Sequence, residues 1–154
     1  MTDELEQFLL NSIPMASHLQ LKVAAFNERE LRIQAPLRTN INDKGTAFAG
    51  SLFSAAVLAG WLFVTARLKR EALDAEAVSS GADIRYIKPV TADFTAVCRL
   101  PHAEDWTHFV NKLRKRKNYK ITLPVEIEVD GEIKAEFTGD FHAWMRSLNP
   151  YGEG

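Results

Sequence analysis

Leu5, Phe8 and Leu9 recur at helical spacing within residues 3–12, and Pro14 closes that segment, so the pattern predicts a short amphipathic helix over residues 1–14. The period then changes to two. From His18 to Phe26, Leu19, Leu21, Val23 and Ala25 alternate with Gln20, Lys22 and Ala24; further on, Leu31, Ile33, Ala35 and Leu37 alternate with Glu30, Arg32, Gln34 and Pro36. Two strands joined at Asn27 and Glu28 form a hairpin, with Pro36 marking an edge or a strand end. Residues 78–88, VSSGADIRYIK, read as a third strand stopped by Pro89, and Phe94, Ala96, Cys98 and Leu100 carry a fourth. Val125, Ile127 and Val129, then Ile133, Ala135 and Phe137, give two long strands around an Asp130-Gly131 turn signal. Ahead of these two, His102 to Arg116 fits either a short helix or a loop, anchored by Trp106 and Phe109.

The middle of the chain breaks both periods. Residues 45–66, GTAFAGSLFSAAVLAGWLFVTA, carry no charge, and that length suffices to cross a bilayer. A helix apolar on every side must be surrounded by lipid or by protein. Strands on both sides of it decide the matter, because a single span would split one sheet across a membrane. A sheet curled around the helix covers Leu52, Phe53, Val57, Leu58, Trp61 and Phe63 instead. The expectation is a buried helix over residues 49–73, no membrane span, and one α+β domain over residues 1–154 with an antiparallel sheet around one dominant helix.

Composition adds exclusions. Hydrophobic residues at 46% and charged residues at 25% suit a folded globular chain, and a net charge of −1 gives no general attraction to nucleic acid or anionic lipid. Cys98 is the only cysteine, which rules out an intramolecular disulfide and a cysteine-built zinc cage and fits a reducing compartment. The acidic start MTDELEQFLLNSIP lacks the basic region of a secretory signal, so a cytoplasmic location is expected.

The segment PLRTNINDKGTAFAGSLFSAAVLAGW, followed some twenty residues on by ADIRYIKPV, resembles the YiiD-type thioesterase-like branch of the hot-dog-fold superfamily. The resemblance spans nearly the whole chain. It implies a curved antiparallel sheet wrapped around the long helix, a homodimer with sites at the subunit interface, and acyl thioesters of acyl carrier protein or coenzyme A as substrates. Some members of this branch decarboxylate malonyl-acyl carrier protein to the acetyl primer of fatty acid synthesis, whereas others bear the name of thioesterases. No resident cofactor or metal is implied, since phosphopantetheine arrives on the substrate.

The two chemistries make different demands. A thioester oxygen that gathers charge needs donors, and the free N–H groups of a helix N-terminus supply them. Gly50, at the expected helix start beside Ser51, is the candidate oxyanion donor, or else it only permits a tight entry turn. Asn42 can bind a thioester carbonyl or a malonyl carboxylate through its amide, and Asn40, two residues earlier, is a further substrate-binding candidate with Asp43 and Ser51. The alternative for either Asn is a loop former whose side chain bonds nearby backbone, the reading favoured for Asn40. Thr46 orients a substrate oxygen or caps the helix, and Phe48 closes the pocket over an acyl group. Hydrolysis also requires a base or nucleophile. The helix from Gly50 to Thr65 has no Asp, Glu or His, Ser51 and Ser54 lack a His partner, and the four histidines are scattered. Asp43 is the nearest acid and Asp83 a second candidate. Decarboxylation needs only an electron sink, a held carboxylate and a proton, so the missing base leans toward it. A binding module without catalysis is the reading from another class.

One local charge feature stands apart. NKLRKRKNYK, residues 111–120, holds Lys112, Arg114, Lys115, Arg116, Lys117 and Lys120 without an acid. It is either a solvated turn or a dock for the acidic carrier protein or the phosphates of coenzyme A.

Overall fold

The computed structural model describes residues 1–148. The elements in chain order are α1 (Thr2–Ser12), α2 (Pro14–His18), β1 (Lys22–Phe26), β2 (Glu30–Ala35), α3 (Ala49–Arg70), β3 (Ala75–Tyr86), β4 (Phe94–Arg99), α4 (Ala103–Arg116), β5 (Asn118–Val129) and β6 (Glu132–Met145), then a 3₁₀ turn at Arg146–Leu148. All six strands join one antiparallel sheet in the order β1-β2-β4-β5-β6-β3. The sheet curves around α3, the hot-dog arrangement.

The core is the contact between that sheet and the helix. Alternate strand residues Leu31 and Ile33, Ala96 and Cys98, Leu123 and Ile127, and Phe137 and Phe141 meet Ala55, Ala59, Leu62 and Phe63 of α3. Each large apolar side chain so enclosed contributes roughly 1.5–3 kcal/mol. Close approach depends on Gly60: a β-carbon there would lie 2.3 Å from the Phe141 ring, so a larger residue would push α3 off β6. Helix α3 is long and apolar enough for a membrane span, at a mean hydropathy of 1.7, but 61% of that window is buried within the protein.

Several local expectations are corrected. Residues 14–18 form a helical turn, so His18 ends a helix where the alternation was expected to start a strand; Pro14 sits at the first helical position, where its fixed φ is favourable. Gln20 then takes φ 55°, and β1 begins only at Lys22. A register shift between Val23 and Ala25 breaks the alternation there, leaving Ala25 half-buried. Helix α3 stops at Arg70 instead of residue 73, since Glu71 caps it and Ala72 turns left-handed at φ 53°. That early stop lets β3 begin at Ala75 and end at Tyr86, where residues 78–88 were expected.

Residues 103–116, read from sequence as helix or loop, form a full helix. Trp106, Phe109, Val110 and Leu113 are buried at i, i+3, i+4 and i+7, and the Asp105 carboxylate accepts the His102 N–H at 3.3 Å. Helix α4 docks on the C-terminal half of α3. Trp106 meets Phe63 edge to face, the Arg67 guanidinium lies 4.5 Å over the Trp106 ring, and the indole N–H reaches Glu71 at 3.2 Å.

Candidate active site at the start of α3

The loop from Pro36 to Phe48 delivers the chain to the N-terminus of α3. Asn40 fastens its near end. Only 2% exposed, it donates from Nδ2 to the carbonyls of Leu19 at 3.0 Å and Pro36 at 2.8 Å, while its backbone carbonyl accepts the Phe48 N–H. These contacts hold the loop in place.

Asn42 organises the tip. Its Oδ1 accepts the N–H groups of Lys44 at 2.8 Å and Thr46 at 3.1 Å, and Nδ2 donates to Thr46 Oγ1 at 2.8 Å. Gly45, at φ 79°, supplies the left-handed residue that this short loop requires. Because Thr46 Oγ1 accepts from Asn42, its own hydroxyl proton is left for another acceptor. Asn42 therefore orients Thr46 at least as directly as it can touch a ligand.

Helix α3 then begins without a side-chain cap. Ser51 and Leu52 donate to the Phe48 carbonyl, but the N–H groups of Ala49 and Gly50 have no hydrogen-bond partner among the described residues. Such a terminus carries about half a positive charge. A cleft of about 280 Å³ opens beside it, lined by Asn42, Thr46, Ala47, Ala49 and Leu52 on one side and by Tyr86, Ile87, Lys88, Pro89 and Val90 on the other. The two walls are tied by the Ala47 N–H to the Val90 carbonyl at 2.8 Å, and by the Tyr86 hydroxyl donating to the Ala49 carbonyl at 3.0 Å. Partial burial raises the pKa of Tyr86, keeping the phenol neutral and protic. Glu132, 2.6 Å from Lys88, raises that lysine's pKa and keeps it cationic. A roomier groove of about 510 Å³ lies elsewhere, among Gln20, Lys22, Gln34, Arg38, Asp93 and Glu128, and no helix start opens into it.

A family model described as "Putative thioesterase (yiiD_Cterm)" matches residues 2–145. The chain belongs to this family. Among solved structures it is similar to a "putative thioesterase" from Shewanella oneidensis, at 31% identity over 93% of this chain and 96% of that one, with a TM-score of 0.83. A protein of unknown function from Chlorobaculum tepidum TLS shares 28% identity over 94% of each chain, with a TM-score of 0.87. A "Probable Thioesterase" from Pseudomonas aeruginosa, 19% identical over 94% of this chain and 95% of that one at a TM-score of 0.79, shares the fold.

In this thioesterase-like chain the structure gathers only some of the candidate residues. Asn42 and Thr46 line the cleft, and Gly50 follows Ala49 at its edge. The Phe48 ring lies on Gly50 so closely that a β-carbon at position 50 would sit 2.4 Å from it, and that ring is 55% exposed. Ser51 is buried behind the first turn. Asp43 points outward, exposed and paired with Lys44 at 2.9 Å, and does not line the cleft; Asp83 lies exposed on β3. Among the described residues no three His, Cys, Asp or Glu side chains gather as metal ligands.

Lys112, Arg114, Lys115, Arg116 and Lys117 occupy the C-terminal end of α4 and its left-handed cap. Tyr86 and Ala49 escaped the sequence reading. Tyr86 stands within the R-Y-x-x-P-V signature, and a tyrosine at a strand end just before a proline turn was the available signal; for Ala49 there was none beyond its place at the helix start.

Proposed function

We propose that this chain decarboxylates a malonyl thioester, converting malonyl-acyl carrier protein to acetyl-acyl carrier protein, the primer for fatty acid synthesis, and that it does so as a homodimer. One observation carries the reading: the cleft beside the two free amides is lined by neutral donors, one lysine and apolar groups, with no Asp, Glu or His. A malonyl thioester brings its own leaving group. Breaking the bond between Cα and the carboxylate carbon releases carbon dioxide, and the electron pair moves onto the thioester oxygen as an enolate. The Ala49 and Gly50 N–H groups stabilise that oxygen, and a proton delivered to Cα completes the acetyl group. The Thr46 hydroxyl and Lys88 hold the departing carboxylate. A cleft of this size suits a short acyl group.

The edge of β3 supports the dimer. Among the described residues the strand's outer edge has no ladder partner along twelve residues, an arrangement soluble proteins rarely leave open. Exposed Ile41, Phe48, Tyr86 and Ile87 lie near its cleft end. Pairing with a second copy would cover both.

The family description favours hydrolysis as the second reading, with Asp43, bound water or a group from the second subunit as base. Intact-mass analysis after incubation with malonyl-carrier protein separates the two. Acetyl-carrier product supports decarboxylation; free carrier thiol with malonate replaces it by hydrolysis.

A further inference from the structure

We infer that the basic end of α4 serves the cleft of the other subunit, so that Arg114, Lys115, Arg116 and Lys117 of one protomer form the dock for an acidic carrier protein whose acyl group enters its partner's cleft. This rests on the carrier-thioester reading above and on the pairing of two β3 edges.

Strand register supplies the distances. The cleft lies at the C-terminal end of β3, where Tyr86 stands opposite Ala135 of β6. The basic segment runs into β5 at Asn118, which stands opposite Trp144 of β6, itself opposite Glu76 at the far end of β3. Along β6 the nine residue steps from Ala135 to Trp144 measure about 30 Å. A carrier docked on its own subunit's patch would have to send its prosthetic arm along the length of the sheet. Antiparallel pairing of the whole of β3 with its copy sets residue 75 of one strand against residue 86 of the other. The row outward from Tyr86 then crosses the partner subunit's β3, β6 and β5, three strand spacings or about 14 Å. The partner's patch is thus about half as far from the cleft as the subunit's own.

The charge is available for such a partner. Residues 112–117 carry five cations in six positions, none of them in an ion pair with a described residue. A helix dipole favours cations in the last turn, which accounts for one or two of them. Five together exceed that need and create a field that a polyanion would feel. Asp74 and Glu76, the acids in the same row, are held by Arg146 at 2.8 and 2.7 Å and leave the patch unneutralised. At the cleft itself Lys44 is bound to Asp43, and Lys88, shared between Glu132 and the substrate's carboxylate, is a single cation, so the mouth offers a carrier protein far less positive charge than the patch does.

Mixed dimers test this directly. One variant reverses the patch (Arg114→Glu, Lys115→Glu, Arg116→Glu); another fills the cleft (Ala49→Trp). Differently tagged chains are co-expressed and the heterodimers purified. With the two changes on separate chains, the live cleft faces an intact partner patch, and turnover of malonyl-carrier protein should stay near half that of wild type. With both changes on one chain opposite a wild-type chain, the live cleft faces a reversed patch, and turnover should fall at least tenfold. Malonyl-pantetheine should be turned over equally by both. The opposite ranking on the carrier substrate, equal rates in both dimers, or a monomer in sedimentation would overturn the inference; Gln in place of Glu at the three positions guards against a folding defect. Binding of unacylated carrier protein to the homodimers gives a readout without catalysis. Patch-dependent binding in a protein inactive on every malonyl thioester would sink the decarboxylase reading and keep the dock, whereas patch-independent binding would sink the dock alone.

Discussion

The two ends of α3 are built on opposite plans. At its C-terminal end Arg67, 8% exposed, donates to the Glu28 carbonyl, lies over Trp106 and approaches Glu71, while Arg70 pairs with Glu28 at 3.0 Å. Every cation there has a carbonyl, a ring or a carboxylate. At its N-terminal end the Ala49 and Gly50 amides, beside the cleft, have no hydrogen-bond partner among the described residues, no side chain caps the first turn, and Phe48 stands half in solvent. A helix end left unsatisfied costs stability, and the orphan donors are the currency of anion binding. Over-determination at one end holds the helix rigid enough for the other to stay open.

The largest effect should come from breaking the closed end. Trp106→Ala removes the ring that joins α4, Arg67 and Phe63, and the loss should be about 3–5 kcal/mol, read as a lower urea midpoint. Turnover per folded molecule should remain near wild type at low temperature. A variant of full stability would show that the closed end is not what secures the helix.

Next in size is the open end. Asn42→Asp keeps the oxygen that accepts the Lys44 and Thr46 N–H groups, so the loop should persist, but it removes the donor to Thr46 and sets a negative charge beside a malonyl carboxylate. Turnover should drop by about 10²–10³, the scale of losing a preorganised donor, with stability changed by about 1 kcal/mol or less. If the variant instead releases carrier thiol and malonate faster than wild type, the new carboxylate is acting as a base and the cleft is built for hydrolysis.

The contrast between the ends was only half legible in the sequence. The charge-free run from Gly45 to Ala66 announced a buried helix because it has no charged face to turn to water, and the strands flanking it named what would do the burying. The Arg67 arrangement was hidden because its partners, Glu28, Glu71 and Trp106, come from three separate elements. Asn42 and Thr46 were visible because a tight loop selects for side chains that bond their own backbone. The same property left open whether Asn42 spends its amide on that loop or on a ligand, and most of it goes to the loop. Tyr86 joins the site only through a strand that returns to the helix start, a contact that no local pattern encodes.

A smaller effect should sharpen the account of the open end. Tyr86→Phe removes the hydroxyl bonded to the Ala49 carbonyl and should lower turnover about tenfold with little change in fold. Burial disfavours the phenolate, so Tyr86 stays protonated to a higher pH than a free tyrosine, whose pKa is about 10. Below that pH the phenol is available; as pH rises through its raised pKa, both its donor function and its stabilising contact are lost. The pH–rate profile of wild type should therefore hold to above pH ~10 before falling, and the Phe variant should lack that alkaline limb.

The smallest expected effect decides most about the chemistry. Asp43 lies one residue from the loop's organising amide, yet its carboxylate is exposed and held by Lys44, outside the cleft. An exposed pair of neighbours contributes little, so Asp43→Asn should change stability by less than about 0.5 kcal/mol and turnover by less than about twofold. A carboxylate that activates water cannot be replaced by an amide at so small a cost, because the amide has no basic lone pair at neutral pH. Wild-type rates in Asp43→Asn would therefore leave one chain's cleft with no carboxylate to serve as base, while a loss of a hundredfold or more would mean that the loop swings inward on binding and that water, not the substrate's own carboxylate, is the group the site is built to handle.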